Sequence, residues 1–254
     1  MIFITGDTHA DFSRFKTKYF KEQKEMTKND VVIICGDFGG VWNYSGETRA
    51  ETSTLDWMED KNYTTLFIDG NHENFDRLKD YPMVEWNGGI VHEIRPHVPH
   101  LCRGQVFTIE GLKFFTFGGA RSHDIDGGVL ELDDPNLFTK KCELDDMSIF
   151  YRINHMSWWK EEMPTKREMF SGLEKLGEHN NKVDFILTHD CPASTLALMG
   201  SGFFRPFEPD ELNYYLEEIR QTVDFKRWYF GHYHDNRAVT DKEIMVYEEI
   251  VRIY

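Results

Sequence analysis

The chain has 254 residues, a 40% hydrophobic fraction, and 20 Phe, 11 Tyr and 6 Trp, enough apolar material to bury a substantial core and too much for a disordered polypeptide. Its 29 basic and 44 acidic side chains leave a net charge of −15, which repels polyanions at long range. No general nucleic-acid or membrane binding is therefore expected, and a small phosphorylated substrate is easier to accommodate.

Met1-Ile2-Phe3-Ile4 enters an apolar strand at once with no basic leader before it, and no run approaches the roughly 18 apolar residues of a spanning helix. Cys35, Cys102, Cys142 and Cys191 are scattered without a CxxC pair, so reduced thiols and a cytoplasmic location are expected. Short runs of β-branched and aromatic residues then recur as buried strands, each ending where polar ligand-type residues begin. Ile2 to Ile4 leads to Asp7, Val31 to Ile34 to Asp37, and Leu66 to Ile68 to Asn71. Phe185 to Leu187 leads to His189, and Trp228 to Phe230 to His232.

Helical patterns separate the first strands. Asp11 to Lys24 puts Phe12, Phe15 and Tyr19 on one face, and Arg49 to Asp60 carries Leu55 and Met58. From Val84 to Phe117 short alternating segments broken by glycine and proline predict antiparallel hairpins. The stretch 118–159 reads as a long irregular, acidic insertion with one short helix near Asp145 to Arg152. A capping box at Thr165 and Glu168 opens a helix through Leu176. Another helix starts at Pro209 with Leu212, Leu216 and Ile219 inward, and Arg237 to Tyr254 reads as two strands. No linker or repeat marks a boundary, so residues 1–254 are read as one α/β domain with ligands at the strand ends.

Asp and His donors without a thiolate suit manganese, iron, zinc, cobalt or nickel. Asp7 and His9, two residues apart, can send both side chains to one ion. His232 and His234 can do the same or divide between two ions. Asp37 follows its strand as a solitary carboxylate beside glycines, a suitable place for a bridge. Any one fragment alone reads as an ordinary turn; the ordered set of five does not.

That set, Gly6-Asp7-Thr8-His9, Gly36-Asp37, Gly70-Asn71-His72-Glu73, His189 and Gly231-His232-Tyr233-His234, resembles the calcineurin-like metallophosphoesterase superfamily over nearly the whole chain. The resemblance implies a four-layer α/β/β/α sandwich of two mixed β-sheets flanked by helices. It also implies two divalent ions, manganese foremost, one on Asp7, His9, Asp37 and His234 and the other on Asp37, Asn71, His189 and His232. Asp37 would bridge them, and a bridging hydroxide would attack phosphorus in line. His72 would protonate the leaving group, and Asn71 would also face substrate.

Two departures qualify the likeness. Ala10 stands where the family commonly has Gly. Gly40 and Val41 replace the Asp-Arg pair of Ser/Thr protein phosphatases, so that activity is disfavoured and something else must orient His72. The segment from Gly118 to Asp124, with Trp158, Trp159 and Glu162 after it, is similar to a small bacterial and phage-type branch. Arg121 and Arg152 read either as phosphate clamps or as surface salt bridges with nearby acids. Arg205 could sit on a flap over the site. Trp158 and Trp159 are expected in the core rather than stacked on a nucleobase. The resulting expectation is a hydrolase of a small, nucleotide-like phosphomonoester or phosphodiester. The alternatives are a protein phosphatase or nuclease and, in another class, a non-catalytic metal-binding scaffold.

Overall fold

A computed structural model of the chain describes residues 1–200 and 208–254. Each of the five predicted runs is a strand buried along nearly its whole length: β1 (Ile2–Thr5), β2 (Val31–Cys35), β3 (Thr64–Ile68), β11 (Phe185–Thr188) and β12 (Arg227–Phe230). The stretch 83–117 folds into β4 (Met83–Trp86), β5 (Gly89–Arg95), β6 (Val98–Leu101), β7 (Gln105–Ile109) and β8 (Leu112–Phe117). The pairs β4·β5, β5·β6 and β7·β8 are antiparallel, as the alternation predicts.

With β13 (Arg237–Ala238), β14 (Glu243–Met245) and β15 (Val251–Arg252), these strands form two mixed sheets. One has the order β15-β1-β2-β3-β6-β5-β4 and the other β13-β14-β12-β11-β8-β7. Alternation along the strands explains the layering. Ile2, Ile4, Val31, Ile33, Leu66 and Ile68 meet Phe107, Phe114, Phe185 and Leu187 between the sheets. On the outer face of the first sheet, Phe3, Val32, Ile34 and Phe67 pack on Leu55 and Met58 of α1 (Arg49–Glu59) and on Phe75 and Leu78 of α2 (Phe75–Asp80).

The second sheet turns Phe115, Phe117, Ile186, Trp228 and Phe230 toward α4 (Lys166–Glu178), α5 (Ala193–Met199) and α6 (Glu211–Thr222). The result is the expected four-layer sandwich. Register fixes where the ligand loops emerge: Thr5 lies opposite Ile34, Cys35 opposite Ile68, and Thr188 opposite Phe230. Among the described residues no helix is long and apolar enough to cross a membrane.

Several local expectations fail for physical reasons. The segment 11–24 is no α-helix but two 3-10 turns, Ser13–Phe15 and Glu22–Lys24. Phe12, Phe15 and Phe20 are buried while Tyr19 points to solvent; apolar residues three apart suit a 3-10 turn as well as an α-helix. In the insertion the helix is α3 (Leu137–Asp146), earlier than predicted, and none of its residues is buried, so no apolar stripe announced it. Beside it β9 (Val129–Leu130) pairs with β10 (Arg152–Ile153). The helix expected from Pro209 is α6, whose N-cap is Asp210, and the chain end forms three short strands rather than two.

One carboxylate organises the loop before α1. Glu51 Oε1 accepts from the backbone N–H of Trp42 at 2.7 Å and of Asn43 at 2.8 Å and from Arg77 Nη1 at 2.8 Å, while Oε2 accepts from Thr48 N–H at 2.8 Å. Burial alone would raise its pKa, but these donors hold it at about 2, against an ordinary 4.5. Because the folded value is the lower one, its stabilisation is complete above pH 4.5 and is lost as pH falls toward 2. Glu51→Gln should cost roughly 1–3 kcal/mol at neutral pH. Urea unfolding checks this: the deficit should shrink in strong acid, and a deficit that grows there contradicts the assignment.

Ala10 has φ +63°, a left-handed conformation worth about 1–2 kcal/mol of strain for a residue with a Cβ. Glycine would relieve it but adds about 0.5–1 kcal/mol of unfolded-chain freedom. Relief wins, so Ala10→Gly should stabilise the metal-free protein by roughly 0.5–1 kcal/mol. Thermal unfolding without added ions would show it, and a lower Tm would refute it.

Candidate metal centre

The loops leaving β1, β2, β3, β11 and β12 meet at one place, and two glycines make the approach close enough. A Cβ on Gly36, itself at φ +92°, would lie 2.1 Å from His189 Nδ1, and one on Gly70 would lie 2.0 Å from Asp37 Oδ1. The loops are then stitched together through Asp37. Its carbonyl accepts from the N–H groups of Thr8 at 3.1 Å and His9 at 2.8 Å. Its Oδ1 accepts from His72 N–H at 2.8 Å. Asp7 Oδ1 likewise accepts from His232 N–H at 3.1 Å. Arg14 braces the first loop from behind by donating to the carbonyls of Gly6 at 3.2 Å and Asp7 at 2.8 Å.

Two groups of donor atoms result. In the first, His234 Nε2 lies 3.0 Å from His9 Nε2 and 3.1 Å from Asp7 Oδ2, and Asp37 Oδ2 lies 3.6 Å from His9 Nε2. In the second, His189 Nε2 lies 3.3 Å from both Asn71 Oδ1 and Asp37 Oδ1. The His232 ring sits 5.0 Å from that of His189. Asp37 reaches both groups.

The protonation chemistry tests whether the clusters fit a cation. His189 Nδ1 donates to the Cys35 carbonyl at 2.8 Å, so Nε2 faces two oxygen acceptors and must carry a proton unless a cation replaces it. Burial would depress this imidazole, yet Asp37 and Asp7 raise its pKa to about 10. Burial would likewise raise Asp37, but His189, His72 and His9 hold it far below the carboxylate range. His232 Nε2 is buried and finds no hydrogen-bond partner among the described residues. Buried carboxylates, an orphaned imidazole nitrogen and opposed lone pairs fit divalent ions, and the O/N donor set suits borderline ones.

The amide of Asn71 is oriented from outside the cluster. Its Nδ2 donates to Ser122 Oγ at 3.3 Å, and Ser122 in turn donates to Glu162 through Oγ at 2.6 Å and N–H at 3.0 Å. Asn71 Oδ1 is thereby turned toward His189, as a ligand oxygen must be. Nothing in the local spacing points to Ser122 or Glu162 in this role, because the contact links residues 40 apart in sequence.

His72 stands beside these groups. Its ring lies 5.1 Å from that of His9 and 5.9 Å from that of Trp42, and it lines a cleft of about 150 Å³ with His9, Ala10, Gly39 and Trp42. Burial lowers its pKa, with Arg152 and His9 adding to the effect and Asp37 opposing it. Trp42, whose backbone N–H is held by Glu51, therefore borders the histidine that has no carboxylate at position 40 to orient it. Glu73 cannot substitute: it is fully buried and accepts from Phe38 N–H at 2.7 Å. Burial and Asp37 also push its pKa well up.

The nominated arginines are engaged with acids. Arg152 binds Asp124 through Nε at 3.2 Å and also through Nη2, and half-exposed Arg121 donates to Asp210 at 3.0 Å. Arg205 lies outside the described residues. His123, unremarked in the sequence, has its ring 5.1 Å from that of His232. Trp159 is fully buried and donates from Nε1 to Asp76 at 2.6 Å, in keeping with a core role, and Trp158 is half-buried.

Three relatives illustrate what the chain resembles. Lariat debranching enzyme A of Xenopus laevis is 24% identical over 76% of this chain and 33% of its own length. The lariat debranching enzyme of Drosophila pseudoobscura pseudoobscura is 25% identical over 92% and 42% respectively. The Homo sapiens lariat debranching enzyme is 22% identical over 75% and 32%. The chain thus spans well under half the length of these relatives. A family model described as calcineurin-like phosphoesterase matches residues 1–236, the span that carries all five ligand loops. The chain belongs to the calcineurin-like phosphoesterase family.

Proposed function

We propose that this chain is a metal-dependent phosphodiesterase that cleaves a nucleotide-type phosphodiester. The observation that carries this reading is the approach of Asn71 Oδ1 and Asp37 Oδ1 to His189 Nε2, each at 3.3 Å, beside a second group of His9, His234 and Asp7, in a member of a phosphoesterase family. One ion is assigned to Asp7, His9, Asp37 and His234, the other to Asp37, Asn71, His189 and His232, with manganese preferred. Two such ions supply an activated water and polarise the phosphoryl oxygens.

The chain's own residues supply positioning and a proton. Asp7 and Asp37 each commit Oδ1 to a backbone N–H of a neighbouring loop, which fixes the direction of Oδ2. Ser122 and Glu162 hold the Asn71 amide. His72, at the cleft wall, gives its proton to the leaving-group oxygen; burial lowers its pKa, which eases that transfer, and Asp37 opposes the lowering. The relatives named for debranching lariats favour a diester over a monoester. They lend no support to the expectation, drawn from the net charge of −15, that general nucleic-acid binding is absent. Bound divalent ions would make the mouth locally positive whatever the outer surface carries.

The test uses the Mn(II)-loaded protein with bis-p-nitrophenyl phosphate and the corresponding monoester. The diester should turn over faster. His72→Ala should lower kcat by about 10²–10⁴ with metal content unchanged, and Asp37→Ala should lose both metal and activity. Equal rates in wild type and both variants would discard the proposal.

A further inference from the structure

A second group of donors lies outside the centre described above. His92 on β5 and His100 on β6 are direct cross-strand partners, their rings nearly parallel at 4° with centroids 5.2 Å apart and their Nδ1 edges facing each other. Cys102, the first residue after β6, continues the pairing by donating its N–H to the Ile90 carbonyl at 3.2 Å, which puts its side chain on the same side as that of His100, two residues before it. The result is one imidazole from one strand and an imidazole and a thiol from its neighbour, an arrangement that no sequence spacing announces. His92 Nδ1 is 3.0 Å from His100 Nδ1 and 3.7 Å from Cys102 Sγ, and all three donor atoms lie within 4.8 Å of one another.

We propose that His92, His100 and Cys102 form a zinc site separate from the phosphoesterase centre, with its fourth position open to the adjoining cavity. Zinc–nitrogen bonds of about 2.0–2.1 Å and zinc–sulfur bonds of about 2.3 Å give tetrahedral edges of roughly 3.3 Å between nitrogens and 3.6 Å between nitrogen and sulfur. The observed 3.0 and 3.7 Å bracket those edges. The outer support of a zinc ligand is also present. His100 Nε2 donates to Asp69 Oδ1 at 3.2 Å, which puts the ring proton on Nε2 and leaves the Nδ1 lone pair facing the other two donors. Asp69 is buried and fixed by Arg103, whose Nε donates to it at 2.8 Å.

The cavity of about 350 Å³ beside the cluster is lined by all three donors together with Asp69, Phe75 and Met163, so water or a small ligand can reach the fourth position. The donor set includes a thiolate that the phosphoesterase centre lacks, and this favours zinc over manganese or magnesium. Burial and His100 keep His92 neutral, with a pKa of about 4. Burial and Asp69 push the Cys102 thiol up to about 12, so binding of one Zn²⁺ forms the Zn–S bond and releases one thiol proton to solvent.

Cobalt reports the site directly, because a thiolate–cobalt charge-transfer band requires sulfur ligation. Among the described residues Cys102 is the cysteine grouped with two histidines. The full chain, its Asp37→Ala variant and its Cys102→Ser variant would be titrated with Co(II) while the near-ultraviolet band is followed. Wild type and Asp37→Ala should saturate at one sulfur-ligated ion per chain, Zn(II) should erase the band, and Cys102→Ser should show none. His92→Gln should weaken binding at least tenfold with the thiol intact. A wild-type protein without the band at saturating Co(II), or a Cys102→Ser protein that keeps it, would overturn the proposal.

Discussion

The carboxylate and carbonyl of Asp37 are the constraint on which the rest of the centre depends. One residue at the end of β2 receives the N–H groups of Thr8, His9 and His72, and the next N–H along the chain is taken by Glu73. Three strand-end loops are thereby held to a single point before any ion is considered. The glycine at 70 follows from this: the Asp37 oxygen occupies the space a Cβ would fill. Loss of the Asp37 side chain would remove a charge and also free the loops that carry the other donors.

Holding so many polar groups together requires backbone conformations that most residues avoid. His9, Ala10, Asp37, His232 and His234 all have positive φ. At about 1–3 kcal/mol each, five such residues would cost as much as the whole stability of an ordinary domain. Asp and His tolerate this region better than most side chains, so the true cost is smaller, and the strain that remains falls on Ala10. The layers behind the loops must over-determine the geometry. They do so through strands buried on both faces, with Phe38 stacked on Phe67 at 4.1 Å directly behind the second loop.

The strand ends were legible because two signals coincide there: a short β-branched run and an abrupt change to Gly-Asp, Gly-Asn-His or Gly-His. The sandwich followed from those runs and from the family likeness. What could not be read depends on distant partners. Glu51 closes the capping box of α1, yet its other oxygen also fixes the backbone of Asn43 and of Trp42, whose ring lies beside His72. The helix Leu137–Asp146 buries nothing, so it has no pattern to betray it. The two 3-10 turns between β1 and β2 carry an aromatic spacing that an α-helix would share, and only the exposure of Tyr19 separates the two.

The outer support of the centre rests on a single guanidinium. Arg103 donates to Asp69 from Nε at 2.8 Å and from Nη2 at 2.5 Å, and Nη2 also donates to the carbonyls of Glu161 at 2.8 Å and Glu162 at 3.3 Å. It therefore fixes two segments at once. Asp69 lies two residues before Asn71, and its carbonyl accepts from Gly119 N–H at 2.9 Å, which anchors the loop that brings Ser122 to the Asn71 amide. Glu162 holds Ser122 from the other side. Because the Arg103 side chain is only 7% exposed and that of Asp69 1%, removing Arg103 would leave the buried Asp69 carboxylate with the His100 imidazole as its remaining side-chain partner among the described residues, a costly loss for a buried charge. The orientation of Asn71 thus follows from an ion pair at the end of β3, and the same Asp69 carboxylate fixes the tautomer of His100.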